Sequence, residues 1–229
     1  MAATTKRRYD NSRREANMQA ARLLVIGTAK KLFVELGYPA TTLEAIGKAS
    51  DTPLPTLYRL FGSKRSLLKA VLDTSFGGDD EPVAFGDRPE VRAALGSEDP
   101  AALIDAFAVI CRQLMDRSCE IYRVLSTAAL VDDEAAELLA EVRQQAHTGR
   151  ARIVAALRRL DAVDPALTKR EADDIVYTCL SFEVAWILIV ERDWNAKQYE
   201  AWISRSLRTV LRPERQPGRS LPKRPPKEA

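Results

Sequence analysis

The chain has 229 residues, 46% hydrophobic and 29% charged, with 35 Lys and Arg against 32 Asp and Glu for a formal net charge of +3. That length exceeds one mid-sized domain and buries a substantial core, while no apolar run reaches about 18 residues and the charged N-terminus lacks an apolar signal segment, so a cytoplasmic protein with no membrane contact is expected. With one histidine, His147, three scattered cysteines, Cys111, Cys119 and Cys179, no G-x-S-x-G and no phosphate loop, nothing points to an enzyme, a bound metal or a cofactor.

In chain order, residues 1–18 form a basic arm, expected to be flexible, that holds Lys6, Arg7, Arg8, Arg13 and Arg14. Gln19 to Leu36 then places Val25, Ile26, Ala29, Leu32, Phe33 and Leu36 on one stripe of a helix, closed by Gly37 before Tyr38-Pro39. Thr41 or Thr42 caps the next helix, whose apolar face is Leu43, Ile46 and Ala49. A connection of Ser50, Asp51 and Thr52 follows. Thr52 reads as the N-cap of a further helix with Pro53 at its first position, where a missing N–H costs nothing. On that helix Leu57, Leu60 and Phe61 share one side, whereas Leu54, Thr56, Tyr58 and Arg59 point elsewhere. Gly62 ends it, and Ser63 caps a helix from Lys64 to about Thr74. Three helices around a small core, two of them joined tightly, make a helix-turn-helix.

Here the chain resembles the TetR family of bacterial transcriptional regulators, through LFVELGYPATTLEAI and then PTLYRLFGSK followed by LL, over roughly Val25 to Leu72. The family usually has an alanine-glycine-valine-serine turn where this chain has Ser50, Asp51, Thr52 and Pro53. Pro55 likewise replaces the flexible glycine before the recognition helix. The resemblance implies docking in the DNA major groove, with Thr42, Tyr58 and Lys64 at positions that commonly meet backbone phosphate. Leu54, Pro55, Thr56 and Arg59 then lie at the base-facing helix start, where Arg59 can reach a guanine edge. Arms of this type commonly enter the adjacent minor groove, which makes Arg7 and Arg8 candidate contacts; solvated surface is the alternative.

The charge distribution agrees with a polyanion partner: net +7 over residues 1–75, −8 over 76–211 and +4 from Arg212 onward. The expected domains are therefore the arm, a DNA-binding head over 19–75, a helical regulatory and dimerisation domain over 76–211, and a basic, Pro-rich, disordered tail over 212–229. Between Gly77 and Pro100 the chain is rich in Gly, Pro and acid and reads as a linker with one short helix near Pro89 to Leu95. Helical periodicity then returns over Pro100 to Asp116, Ser118 to Leu130, Asp133 to Leu160, Lys169 to Glu191 and Ala196 to Leu211, with strand signals nearly absent, so the expected fold class is all-α.

The segment Ala172 to Val190 is apolar on more than one face and the following helix is strongly amphipathic. Both are consistent with packing inside one chain; the resemblance favours a homodimer through approximately 169–191 and 196–211. Two-fold symmetry then implies a palindromic operator in double-stranded DNA. The resemblance also implies a small-molecule effector in a cavity among the middle helices, with Phe107, Cys111, Met115, Tyr122, Tyr177, Phe182 and Trp186 as candidate lining. The expected function is a ligand-responsive repressor. An activator of the same fold, or a dimeric interaction protein whose DNA binding has lapsed, is the alternative.

Overall fold

The computed structural model describes residues 2–211, with side chains from residue 16 onward, so the Arg7 and Arg8 side chains and the tail from 212 lie outside the described residues. The described chain is helical, with one isolated antiparallel bridge between Val163 and Leu211. Its first helix, α1, runs over Ala2–Leu36, where an arm to residue 18 and a helix start near Gln19 were expected. No glycine or proline precedes Gly27, and extending an existing helix costs far less than nucleating one. Val25, Ile26, Ala29 and Phe33 are buried, whereas Leu36 faces solvent. Gly37, at φ 80°, turns the chain out of α1.

Helix α2, Leu43–Ala49, is capped by the Thr42 hydroxyl, which accepts from the Ala45 N–H at 3.1 Å. Thr41 does a different task. Wholly buried, its hydroxyl donates to the carbonyls of Gly37 at 2.8 Å and Leu32 at 3.1 Å, pinning the loop to α1. Gly47 is where the turn closes on α2: a Cβ there would stand 2.9 Å from the Thr52 carbonyl oxygen and 3.3 Å from Leu57 Cδ1.

Helix α3, Leu54–Phe61, starts one residue later than the sequence suggested. Pro53 occupies the cap position, and the Thr52 hydroxyl donates to the Ser50 carbonyl at 3.2 Å instead of capping the helix. Pro53 and Pro55 carry no N–H, so the helix start has fewer orphan donors to satisfy. The turn passes through Asp51 at φ 49°, a left-handed conformation that Asp tolerates better than most residues. Helix α4, Lys64–Gly77, is capped by Ser63 and buries Leu67, Leu68, Val71 and Leu72.

The body contains α5 (Pro89–Leu95), α6 (Pro100–Ala128), α7 (Asp133–Arg159), α8 (Lys169–Cys179), α9 (Phe182–Trp186) and α10 (Ala196–Leu207). The break expected near Asp116 is absent and α6 is continuous, because the buried Ser118 hydroxyl donates back to the Leu114 carbonyl and leaves no polar group orphaned. The continuous helix expected over Lys169 to Glu191 is instead interrupted. At Ser181 the hydroxyl accepts from the Val184 N–H at 3.2 Å and donates to the Thr178 carbonyl at 3.0 Å, ending α8 and starting α9, and a π-helical turn follows over Ile187–Glu191. α10 closes on a 3-10 turn at Arg208–Val210.

The apolar core is contiguous from Val25 in the head to Val210 at the end of the body. The segment read as a linker is part of this assembly: its 3-10 turn Phe85–Asp87 packs on the core, and buried Arg88 makes a two-pronged ion pair with Asp79 at 2.7 and 2.8 Å. Burial and two charge-assisted hydrogen bonds fix where α4 hands over to α5.

Candidate DNA interface and effector cavity

The exposed side of the head gathers most of the expected contact residues. Thr42, Pro55, Tyr58 and Arg59 are exposed, Tyr58 at 51%, and Leu54 and Thr56 are half-buried, so α3 presents its N-terminal half outward over buried Leu57 and Phe61. Arg59 makes no ion pair among the described residues, and neither does exposed Lys48 at the end of α2. Lys48 was not singled out in the sequence, although its place in the last turn of α2 was visible there. Thr42 keeps its cap hydrogen bond and retains a free hydroxyl donor.

Lys64 is placed differently from the expectation. Its ammonium donates to the carbonyls of Tyr38 at 2.9 Å and Thr41 at 3.1 Å and lies 4.2 Å from the Tyr38 ring centroid. Two of its three donors thus clamp the α1–α2 loop onto the start of α4. Burial lowers its pKa, with Asp132 opposing, while burial, then Asp132 and Glu134, pushes Tyr38 up to about 12.

In the body, a cavity of about 390 Å³ lies among α4, α5, α6, α7 and the α8–α9 junction. Such a volume suits a small molecule. Three of the seven expected lining residues, Phe107, Cys111 and Phe182, border it. Met115 is sealed in the core, and Tyr122 stacks on the far side of Phe182, centroids 4.0 Å apart, with its hydroxyl 3.3 Å from Glu183. Trp186 packs beneath Arg123, its ring 5.3 Å from the guanidinium carbon. Tyr177 opens instead on an adjoining groove with His147, Arg143 and Asp174. Along α6 the cavity wall ends near Leu114, short of Met115 and Tyr122.

The cavity walls that periodicity did not reveal are Phe76 at the end of α4, Phe85 in the former linker, and Val142, Gly149, Arg150, Arg152 and Ile153 on α7. The Cys111 thiol is pushed up to about 12 by burial, Cys119 to about 11 for the same reason, and all three cysteines are buried and unbridged. Among the described residues no group of three or more His, Cys, Asp or Glu side chains is placed to hold a metal ion, and no helix is long and apolar enough to cross a membrane.

Helix α4 touches both regions, Lys64 at its start and Phe76 at its end. Arg117 of α6 donates to the carbonyls of Ser75 at 3.2 Å and Phe76 at 3.1 Å, and its own carbonyl accepts from Lys30 of α1 at 2.6 Å. Arg65, one residue into α4, pairs with Glu141 of α7 at 2.7 Å.

Residues 25–71 match the family model described as bacterial regulatory proteins, tetR family. A curated relative, the HTH-type transcriptional repressor ComR of Escherichia coli (strain K12), is 39% identical over 70 residues; that stretch spans 29% of this chain and 33% of ComR, so the likeness is to about a third of the relative's length. Among solved structures, SmeT in complex with triclosan superposes with a TM-score of 0.66 at 15% identity, over 91% of this chain and 100% of that one. NalD, the secondary repressor of the MexAB-OprM multidrug efflux pump in Pseudomonas aeruginosa, gives 0.61 at 17% identity, over 86% and 99%. Residues 25–71 thus carry the helix-turn-helix head of the tetR family of bacterial regulatory proteins, and the chain as a whole has the all-α fold of solved TetR-family regulators.

Proposed function

We propose that the protein is a ligand-responsive repressor that binds a palindromic operator as a homodimer and is released by a small molecule in the α4–α7 cavity. The observation that carries this reading is the reach of α4, a single 14-residue helix whose first residue clamps the head loop and whose Phe76 borders the cavity. A ligand that displaces Phe76 moves the C-terminal end of a rigid helix, and the head moves with it. Differential affinity for the two arrangements powers the shift.

Thr42 and Tyr58 are proposed to meet backbone phosphate, and Leu54, Pro55, Thr56 and Arg59 to face bases, with Lys48 as an added phosphate contact. Lys64 serves mainly as a strut. The dimer surface is proposed on α8 and the π-helical turn, where Tyr177, Ile187 and Val190 are exposed apolar groups; in α10, Tyr199, Ile203 and Leu207 are buried within the chain, leaving half-buried Trp202 as its contribution. Residues 19–75 and 76–211 act as head and regulatory body. SmeT, solved with triclosan, and NalD, a repressor, support an effector-responsive repressor by analogy.

An electrophoretic shift with DNA from upstream of the gene tests the proposal. Sequence-specific, salt-sensitive binding is expected, with Arg59→Ala relaxing selectivity at one base pair by about 1–3 kcal/mol. No shift at low salt sinks it. That outcome would favour a dimeric interaction protein with a lapsed head, a reading to which Asp51, an exposed carboxylate in the turn, lends weight.

A further inference from the structure

The cavity is apolar over most of its wall, yet its charges do not cancel. Arg152 donates to the Gly86 carbonyl at 2.7 Å and lies 3.8 Å from Asp87, so this cation and this anion offset each other at the rim. Arg150 has no such partner. One of its nitrogens donates to the Leu180 carbonyl at 2.7 Å and the guanidinium carbon sits 4.6 Å from the Tyr177 ring centroid, but no carboxylate lies within ion-pair distance among the described residues. The guanidinium keeps further N–H donors for a ligand. The Cys111 thiol in the wall stays neutral because burial raises its pKa, and burial also raises the Tyr199 hydroxyl above its ordinary value, so neither supplies a counter-charge. A half-buried cation beside Phe107, Phe182 and Ile153 without a counter-ion is costly unless an anion joins it.

We propose that the effector is an amphipathic organic acid, an apolar aromatic or aliphatic body carrying one carboxylate, with the carboxylate held by Arg150 and the body lodged between Phe76, Phe107 and Phe182. This rests on the cavity being the effector site. The guanidinium fork matches a carboxylate in geometry as well as charge. Arg150 also holds the carbonyl at the α8–α9 break, so an anion that reorients it loosens the joint that carries the exposed apolar groups of α8 and the π-helical turn.

The test is isothermal titration of the full chain with paired probes, decanoate against decanamide and 4-phenylbutyrate against its amide, each repeated on Arg150→Gln, Arg150→Lys and Arg152→Gln. Melting curves establish that the variants are folded. Acids are expected to bind at least about tenfold more tightly than their amides, one decade being about 1.4 kcal/mol. Arg150→Gln should erase that preference while leaving amide binding unchanged, Arg150→Lys should restore part of it, and Arg152→Gln should keep it. Equal binding of acid and amide, or an acid preference that survives Arg150→Gln, overturns the proposal but leaves the cavity as effector site. If no probe of either kind binds, both the proposal and that reading fall.

Discussion

Lys64 and Tyr38 form the clasp of the DNA-binding head: the ammonium lies 4.2 Å from the ring centroid and donates to the same residue's carbonyl at 2.9 Å. Tyr38 itself is buried against Phe33, ring centroids 5.6 Å apart. Lys64→Met keeps much of the aliphatic packing and removes the cation and both charge-assisted hydrogen bonds. A loss of about 1–3 kcal/mol in urea unfolding is expected, the lower end favoured because Lys64 is half-exposed. The slope of log binding constant against log salt should change by less than about 0.5; a fall of about one would make Lys64 a phosphate contact instead.

Tyr38 gives the head an alkaline limit. Its folded pKa of about 12 stands above the ordinary 10, because burial and the nearby Asp132 and Glu134 disfavour the phenolate. The stabilisation is fully present below pH 10 and is lost as pH rises from 10 towards 12, since the unfolded chain releases that proton first. Comparing wild type with Tyr38→Phe by urea unfolding between pH 9 and 11.5 isolates this group. Wild type should lose about 2 kcal/mol more than the variant across the window, and parallel curves would refute the assignment.

Asp51 stores strain in the turn between α2 and α3. At φ 49° a glycine is more comfortable, and Asp51→Gly should stabilise the head by about 0.5–1 kcal/mol, read as a higher melting temperature. It also removes a carboxylate beside the surface proposed to face DNA, so tighter low-salt binding should accompany it. Stabilisation without tighter binding would place Asp51 away from the duplex.

Arg117 links the cavity end of α4 to α6 through the Ser75 and Phe76 carbonyls, and to α1 through Lys30. Arg117→Met should leave effector binding and DNA binding each within about threefold of wild type while reducing effector-driven release of DNA by about tenfold, a coupling loss of about 1.4 kcal/mol. Unchanged release in a shift titration would show that the signal bypasses this arginine.

The head was legible because its determinants are local. Thr42 and Ser63 cap the helices they precede, Gly37 and Gly62 sit at the positive φ values that end α1 and α3, and Leu57 and Phe61 face inward at helical spacing. The misjudged positions involve a partner distant in sequence or a choice between two satisfactory bonds. Thr52 bonds back to Ser50 where capping α3 was also open to it, and Ser118 and Ser181 both donate to the preceding turn although only Ser181 also caps a new helix.

By itself the sequence determined the helical class, the helix-turn-helix and the basic head on an acidic body, since periodicity, caps and composition act within a few residues. Only the tertiary structure decided that Phe76, Phe85 and Arg150 meet around one cavity, that Tyr122, Tyr177 and Trp186 do not, and that Lys64 turns inward to Tyr38. Those outcomes depend on how long helices cross and which carbonyls they bring within reach of a long side chain. A 3.6-residue repeat carries no information about either.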